Sequence, residues 1–222
     1  MPDRPGTDGA RGLRSRRRGA AALGRLIAGR FRVERLLGQG GSGRVYRAQQ
    51  VSIERPVALK LLQSHHARDR IQVRRFYREA RAATRLDGAH VVRVYDFGVD
   101  DETRTPFIAT ELLDGLTLRE LLATRGPLPP LVAAGLGAQI ARALVEADAA
   151  GIVHRDLKPA NIMCTGAQSE PLLKVMDFGV AKELGQGDTD TLTAQGVAVG
   201  TPAYMAPEQV TGGVVDPGVH PL

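Results

Sequence analysis

Two short runs constrain this chain more than any other stretch: His154-Arg155-Asp156-Leu157-Lys158-Pro159-Ala160-Asn161 and, further on, Asp177-Phe178-Gly179. In-line transfer of a phosphoryl group from a nucleoside triphosphate needs a carboxylate that accepts the hydroxyl proton and a cation beside the moving group. It also needs oxygen ligands that hold Mg²⁺ against the phosphates. Asp156, Lys158, Asn161 and Asp177 offer those parts in that order. Taken alone, His154-Arg155-Asp156 reads equally well as a salt-bridged turn. The apolar strand Gly151-Ile152-Val153 ahead of it, with Asn161 and Asp177 behind, supplies the surroundings that the chemistry requires.

Upstream, Leu37-Gly38-Gln39-Gly40-Gly41-Ser42-Gly43-Arg44-Val45 falls between an expected strand at 31–36 and another at 44–49. Glycines there let the backbone approach a triphosphate closely and aim amide N–H groups at it, although a flexible hairpin fits the same run. The strand-turn-strand setting argues against a dinucleotide fingerprint, which opens a helix. Val57-Ala58-Leu59-Lys60 is an apolar strand that ends in a cation. The chain has 30 basic residues, of which only Lys60, Lys158, Lys174 and Lys182 are lysines. Arginine is therefore its default cation, and two of the four lysines stand where a compact ammonium suits a phosphate.

Together these runs resemble the eukaryotic-type protein kinases, and Lys158-Pro159-Ala160-Asn161 resembles the bacterial serine/threonine branch. The resemblance implies an α+β, two-lobe fold: a small β-sheet lobe with one helix, and a mainly helical large lobe. It implies a serine/threonine protein kinase that moves the γ-phosphoryl group of ATP to a protein hydroxyl. Asp156 would orient and deprotonate that hydroxyl, Lys158 would neutralise the moving group, and Asn161 with Asp177 would hold Mg²⁺, or Mn²⁺ in its place. Gly38, Gly40 and Gly43 would cover the phosphates. Glu79, the only carboxylate in an expected helix at 71–86, resembles the glutamate that holds Lys60 against the α- and β-phosphates. The alternative pairs Glu79 with Arg75 or Arg78 on a solvated face. Phe107 to Gly115 resembles the hinge, with Thr110 as gatekeeper and the backbone of Glu111 and Leu113 at the adenine edge. Leu37, Val45, Ala58 and Met163 would sandwich the ring, or serve as ordinary core.

The stretch 180–199 reads as a loop that carries Thr189, Thr191 and Thr193. A phosphate on Thr193, then Thr191, would pair with Arg155, by self-phosphorylation between copies; solvated loop threonines are the alternative. Gly200 to Glu208 is similar to the element that closes a kinase activation segment. Residues 28–211 are then the kinase domain, with a small lobe at about 28–110 and a partial large lobe at about 114–211. Residues 212–222 depart from the family pattern where a further helix is expected, so the domain reads as truncated. This motivates a second reading, a catalytically weak or inactive fragment that binds nucleotide or a partner protein.

Of the formal charge of +6, residues 1–25 contribute +5. The Arg-rich stretch 1–27 is therefore expected to be a disordered tail, and a nucleic-acid partner is not favoured. The one cysteine, Cys164, forms no internal disulfide, which fits a reducing, cytoplasmic compartment. No run reaches the length of a membrane span; the longest apolar candidate, 131–145, is broken by Arg142 and reads as a buried helix.

Overall fold

The computed structural model describes residues 22–40, 43–63, 66–67, 69–166, 171–178, 182–183 and 202–207. Gly41, Ser42, the threonines at 189, 191 and 193, Glu208 and the divergent stretch 212–222 lie outside them. The contacts divide the chain into two units: Met1–Val73 with Asp96–Leu112, and Arg74–Tyr95 with Leu113–Leu222. Arg74–Tyr95 joins the second unit because Ala82, Leu86 and Val91 pack with Ala143, Ala147, Ile152, Val175 and Phe178.

The first unit is a six-stranded sheet in the order β1-β2-β3-β4-β6-β5. Its strands are β1 (Leu26–Ile27), β2 (Phe31–Gln39), β3 (Gly43–Gln50), β4 (Arg55–Leu62), β5 (Val94–Val99) and β6 (Pro106–Glu111). Period-two alternation makes them strands. Phe31 and Val33 on β2, Tyr46 and Ala48 on β3, and Val57 and Leu59 on β4 are buried. Phe31 meets Phe107 with ring centroids 5.6 Å apart. The expected disordered stretch runs through residue 27, but Leu26 and Ile27 pair with Arg32 and Phe31, and Ile27 is buried. Asp100, at the end of β5, is buried and gathers this segment. Its Oδ1 accepts from Ala28 N (2.9 Å), its Oδ2 accepts from the backbone and hydroxyl of Thr103, and Arg25 lies 3.7 Å from Oδ2. Burial alone would raise the Asp100 carboxyl, but the bonds from Thr103 and Ala28 outweigh it and hold it below the usual value.

The second unit takes most of helix α1 (Arg70–Ala83), together with α2 (Leu118–Arg125) and α3 (Pro130–Ala149). It has two small sheets. One is β10 (Leu172–Val175), β9 (Ile162–Thr165) and β7 (Gly115–Thr117); the other pairs β11 (Lys182–Glu183) with β8 (Ile152–Val153). Thr117 caps α2 in a reciprocal box: its Oγ1 accepts from Glu120 N while the Glu120 carboxylate accepts from Thr117 N at 2.8 Å. The run expected to be a buried helix is α3, but it is buried only at Leu136, Ala143 and Ala147. Leu131 is 86% exposed and Val145 69% exposed. Apolar residues surround this helix on every side, so composition suggests burial, while packing among the described residues uses one stripe. No described helix is long and apolar enough to cross a membrane.

Candidate functional site

The residues between β8 and β9 form a loop held from inside. His154 is buried, and Asp156 N donates to its Nδ1 at 3.3 Å. Nδ1 is thus the acceptor, so Nε2 carries the hydrogen and donates to Met176 O at 3.0 Å. The ring also packs on Phe178 at 4.8 Å. Burial pushes the His154 imidazole below its ordinary pKa, against the opposing pull of Met176 O and of the Asp177 and Asp156 charges, and the neutral ring is the form these bonds require.

Around that pin the polar groups converge. Lys158 Nζ donates to Asp156 Oδ2 at 2.7 Å, and Asn161 Nδ2 donates to Asp156 O at 2.9 Å and to Oδ2 at 3.2 Å. Both side-chain contacts fall on Oδ2. Asn161 N donates to Lys158 O in a single short helical turn, Pro159–Asn161, and Met176 N donates to Asn161 O at 2.8 Å. The loop is therefore joined by backbone to the residue before Asp177. Arg155 (φ 63°) and Asp177 (φ 53°) both take the left-handed conformation, on the order of 1–3 kcal/mol each for side chains of this kind. Burial lowers the Arg155 guanidinium pKa.

The donor set fits a hard cation. Asn161 spends its amide nitrogen on Asp156, which turns its carboxamide oxygen into the group left to offer, and Asp177 is exposed. Mg²⁺ is normally held by one or two such oxygens plus phosphates and water, so no all-protein cage is needed. Among the described residues there is indeed no group of three or more His, Cys, Asp or Glu placed to hold a metal.

The first unit carries the remaining candidates mostly on one sheet face. Val45 lies opposite Lys60, Lys60 opposite Ile108, and Ala58 opposite Thr110; Gly38 is in register with Val45. Opposed residues share a face, so Gly38, Val45, Ala58, Lys60 and Thr110 stand together, away from Val57, Leu59 and Phe107. Gly43 is required by close approach, since a Cβ there would stand 2.6 Å from Leu61 O. Among the described residues, nothing lies within 4 Å of such a carbon at Gly38 or Gly40. Gly40 N closes the loop onto Gly43 O at 2.9 Å, and Gln63 Nε2 donates to Gly40 O at 2.7 Å. Leu37 is exposed at the irregularity of β2, and Thr110 Oγ1 has Glu111 O at 3.3 Å and Ala58 O at 3.5 Å. In the second unit Glu79 is buried on α1, so the solvated-face alternative does not describe it. Leu113 is half-buried, and Met163, also half-buried, pairs with Lys174 and Thr117 on the β9 sheet. Sequence reasoning quoted His154 but gave it no task, because its partner is a main-chain carbonyl that leaves no mark in the sequence.

The pattern of the family described as protein kinase domain matches residues 31–219. The chain is similar to the serine/threonine-protein kinase pkn3 of Myxococcus xanthus, 42% identical over 196 residues, covering 87% of this chain and 36% of that protein. It is 41% identical to the serine/threonine-protein kinase PknL of Mycobacterium tuberculosis, covering 86% of this chain and 46% of that one. With PrkC of Bacillus subtilis the identity is 38%, over 86% of this chain and 28% of the relative. The chain thus spans less than half the length of these curated relatives. The crystal structure of the PknI kinase domain of M. tuberculosis aligns with a TM-score of 0.67 at 32% identity, over 88% of this chain and 69% of that one.

Proposed function

Since this chain belongs to the protein kinase family, we propose that it binds ATP with Mg²⁺ and transfers the γ-phosphoryl group to a serine or threonine hydroxyl of a protein. The observation that carries this reading is the convergence of Lys158 and Asn161 on a single oxygen of Asp156. That arrangement leaves Oδ1 to take the hydrogen bond, and then the proton, of the attacking hydroxyl. Lys158 faces the charge that spreads over the moving group. Asn161 Oδ1 and the Asp177 carboxylate would hold the cation, which supplies electrostatic neutralisation of the phosphates when bound. Lys60 would bind the phosphates with Glu79 as its counter-charge, and Gly38, Gly40 and Gly43 would cover them. The hinge backbone at Glu111 and Leu113 would meet the adenine, with Thr110 beside it and Leu37, Val45, Ala58 and Met163 on the ring faces. Self-phosphorylation of Thr193 or Thr191, lying outside the described residues, would supply an anion for Arg155.

The test is phosphate incorporation from radiolabelled ATP into a serine/threonine peptide array, with Asp156→Asn as the comparison. The variant is expected to lose about 10²–10⁴-fold in rate, the usual worth of a positioned proton acceptor. Equal incorporation by both proteins would mean a contaminating kinase and would end the reading. A second reading, a weak or inactive chain that binds nucleotide or a partner, draws support from the exposed apolar residues Leu131, Val132 and Val145 of α3. It predicts nucleotide binding with no label transferred by either protein.

A further inference from the structure

The second unit holds a carboxylate that the chemistry above does not use. Glu146, on α3, accepts at one oxygen, Oε1, from Asp87 N (2.7 Å) and Gly88 N (2.8 Å). The fit is tight, because a Cβ on Gly88 would stand 1.7 Å from Glu146 Oε2. Glycine at 88 is what admits the carboxylate. From there the chain runs beside β10: Val175 N donates to His90 O at 2.8 Å, Val92 N donates to Val175 O at 2.9 Å, and Val91 bridges Val175 in parallel. Lys174 Nζ adds a bond to Val91 O at 3.2 Å, and His90 Nδ1 lies 3.1 Å from Leu173 O. The residue after Val175 is Met176, whose backbone holds Asn161 and His154, and the next is Asp177. Two turns earlier on the same helix, Gln139 grips the other end of β10, accepting from Leu173 N at 2.9 Å and donating to Pro171 O at 3.0 Å.

We propose that Glu146 is a positioning residue: by fixing the Asp87–Gly88 backbone to α3, it sets the register of the 88–92 segment against β10 and so the place of Asp177. The physical reason is that one carboxylate oxygen accepting from two adjacent N–H groups makes a pair of charge-assisted bonds with a single geometry, the Gly88 one half-buried, so the carboxylate selects one arrangement of the segment over neighbouring ones. Gln139 then holds the strand at its start while Glu146 holds its companion. The consequence for nucleotide binding rests on the reading of Asp177 as a cation ligand; the positional claim does not.

Amide hydrogen exchange of the protein without nucleotide tests the positional claim directly. Glu146→Leu is expected to speed exchange about tenfold both in peptides covering 86–92 and in those covering 172–178. Glu146→Gln, which keeps the accepting oxygen, should exchange as the wild type does. Gly88→Ala, which displaces the carboxylate while leaving it in the chain, should reproduce Glu146→Leu. Faster exchange confined to 86–88, or Gln behaving like Leu, would overturn the inference. As a second readout, Glu146→Leu should raise several-fold the Mg²⁺ concentration that half-saturates binding of a fluorescent ATP analogue, leaving Mg²⁺-free binding unchanged. A wild type that binds no nucleotide would defeat the proposed function instead, and exchange at 172–178 would then decide the inference alone.

Discussion

His154 shows at the scale of one residue how a buried group ties stability to pH. Its pKa is lowered in the fold, while the unfolded ring titrates near 6.5. The unfolded state therefore binds more protons as pH falls through that value, and stability rises with pH there. The stabilisation is complete above the ordinary histidine range and is lost on acidification through it. Thermal midpoints compared at about pH 8 and about pH 5 should fall with acid, and less steeply in His154→Gln, which cannot titrate. An identical slope in the variant would remove His154 as the cause. The convergence of Asp156, Lys158 and Asn161 was legible, because their spacing within one run brings three polar side chains to one turn. The sequence was silent for His154 and Glu146, because both speak to main-chain atoms, and any residue supplies those.

Elements were legible where side chains alternate. Val57, Leu59 and Leu61 mark the buried face of β4, and the same alternation places Ala58 and Lys60 on the other. Helix α3 was legible as a helix and misjudged as to burial, since leucine, valine and alanine surround it and no period tells which stripe packs. The local grammar of α2 gives a sharper expectation. Hydrogen bonds from the Thr117 backbone and hydroxyl hold the Glu120 carboxyl below its usual value, so the box persists at neutral pH and weakens as acid protonates Glu120. Thr117→Ala should cost about 1 kcal/mol, read as a lower urea midpoint with unchanged slope. An unchanged midpoint would mean that packing alone holds the helix.

At the scale of the whole molecule, bound nucleotide should raise stability if the proposed function holds. Saturating ATP with Mg²⁺, at about one hundred times its dissociation constant, should stabilise the protein by about 2.7 kcal/mol through mass action, read as a raised thermal midpoint. Asp177→Asn should keep the Mg²⁺-free shift and lose most of the added Mg²⁺-dependent part; an unaltered metal response would exclude Asp177 as a ligand. The place of residues 74–95 in the second unit left no mark in the sequence, because the helix at 70–83 is continuous there while Ala82 belongs to the cluster that includes Ile152 and Phe178.

The cluster around Asp100 carries a practical corollary. Cleavage just beyond Ala28 would strip that interior acid of two of its partners. A shortened clone that starts at Phe31 should therefore melt at a lower temperature than the full chain.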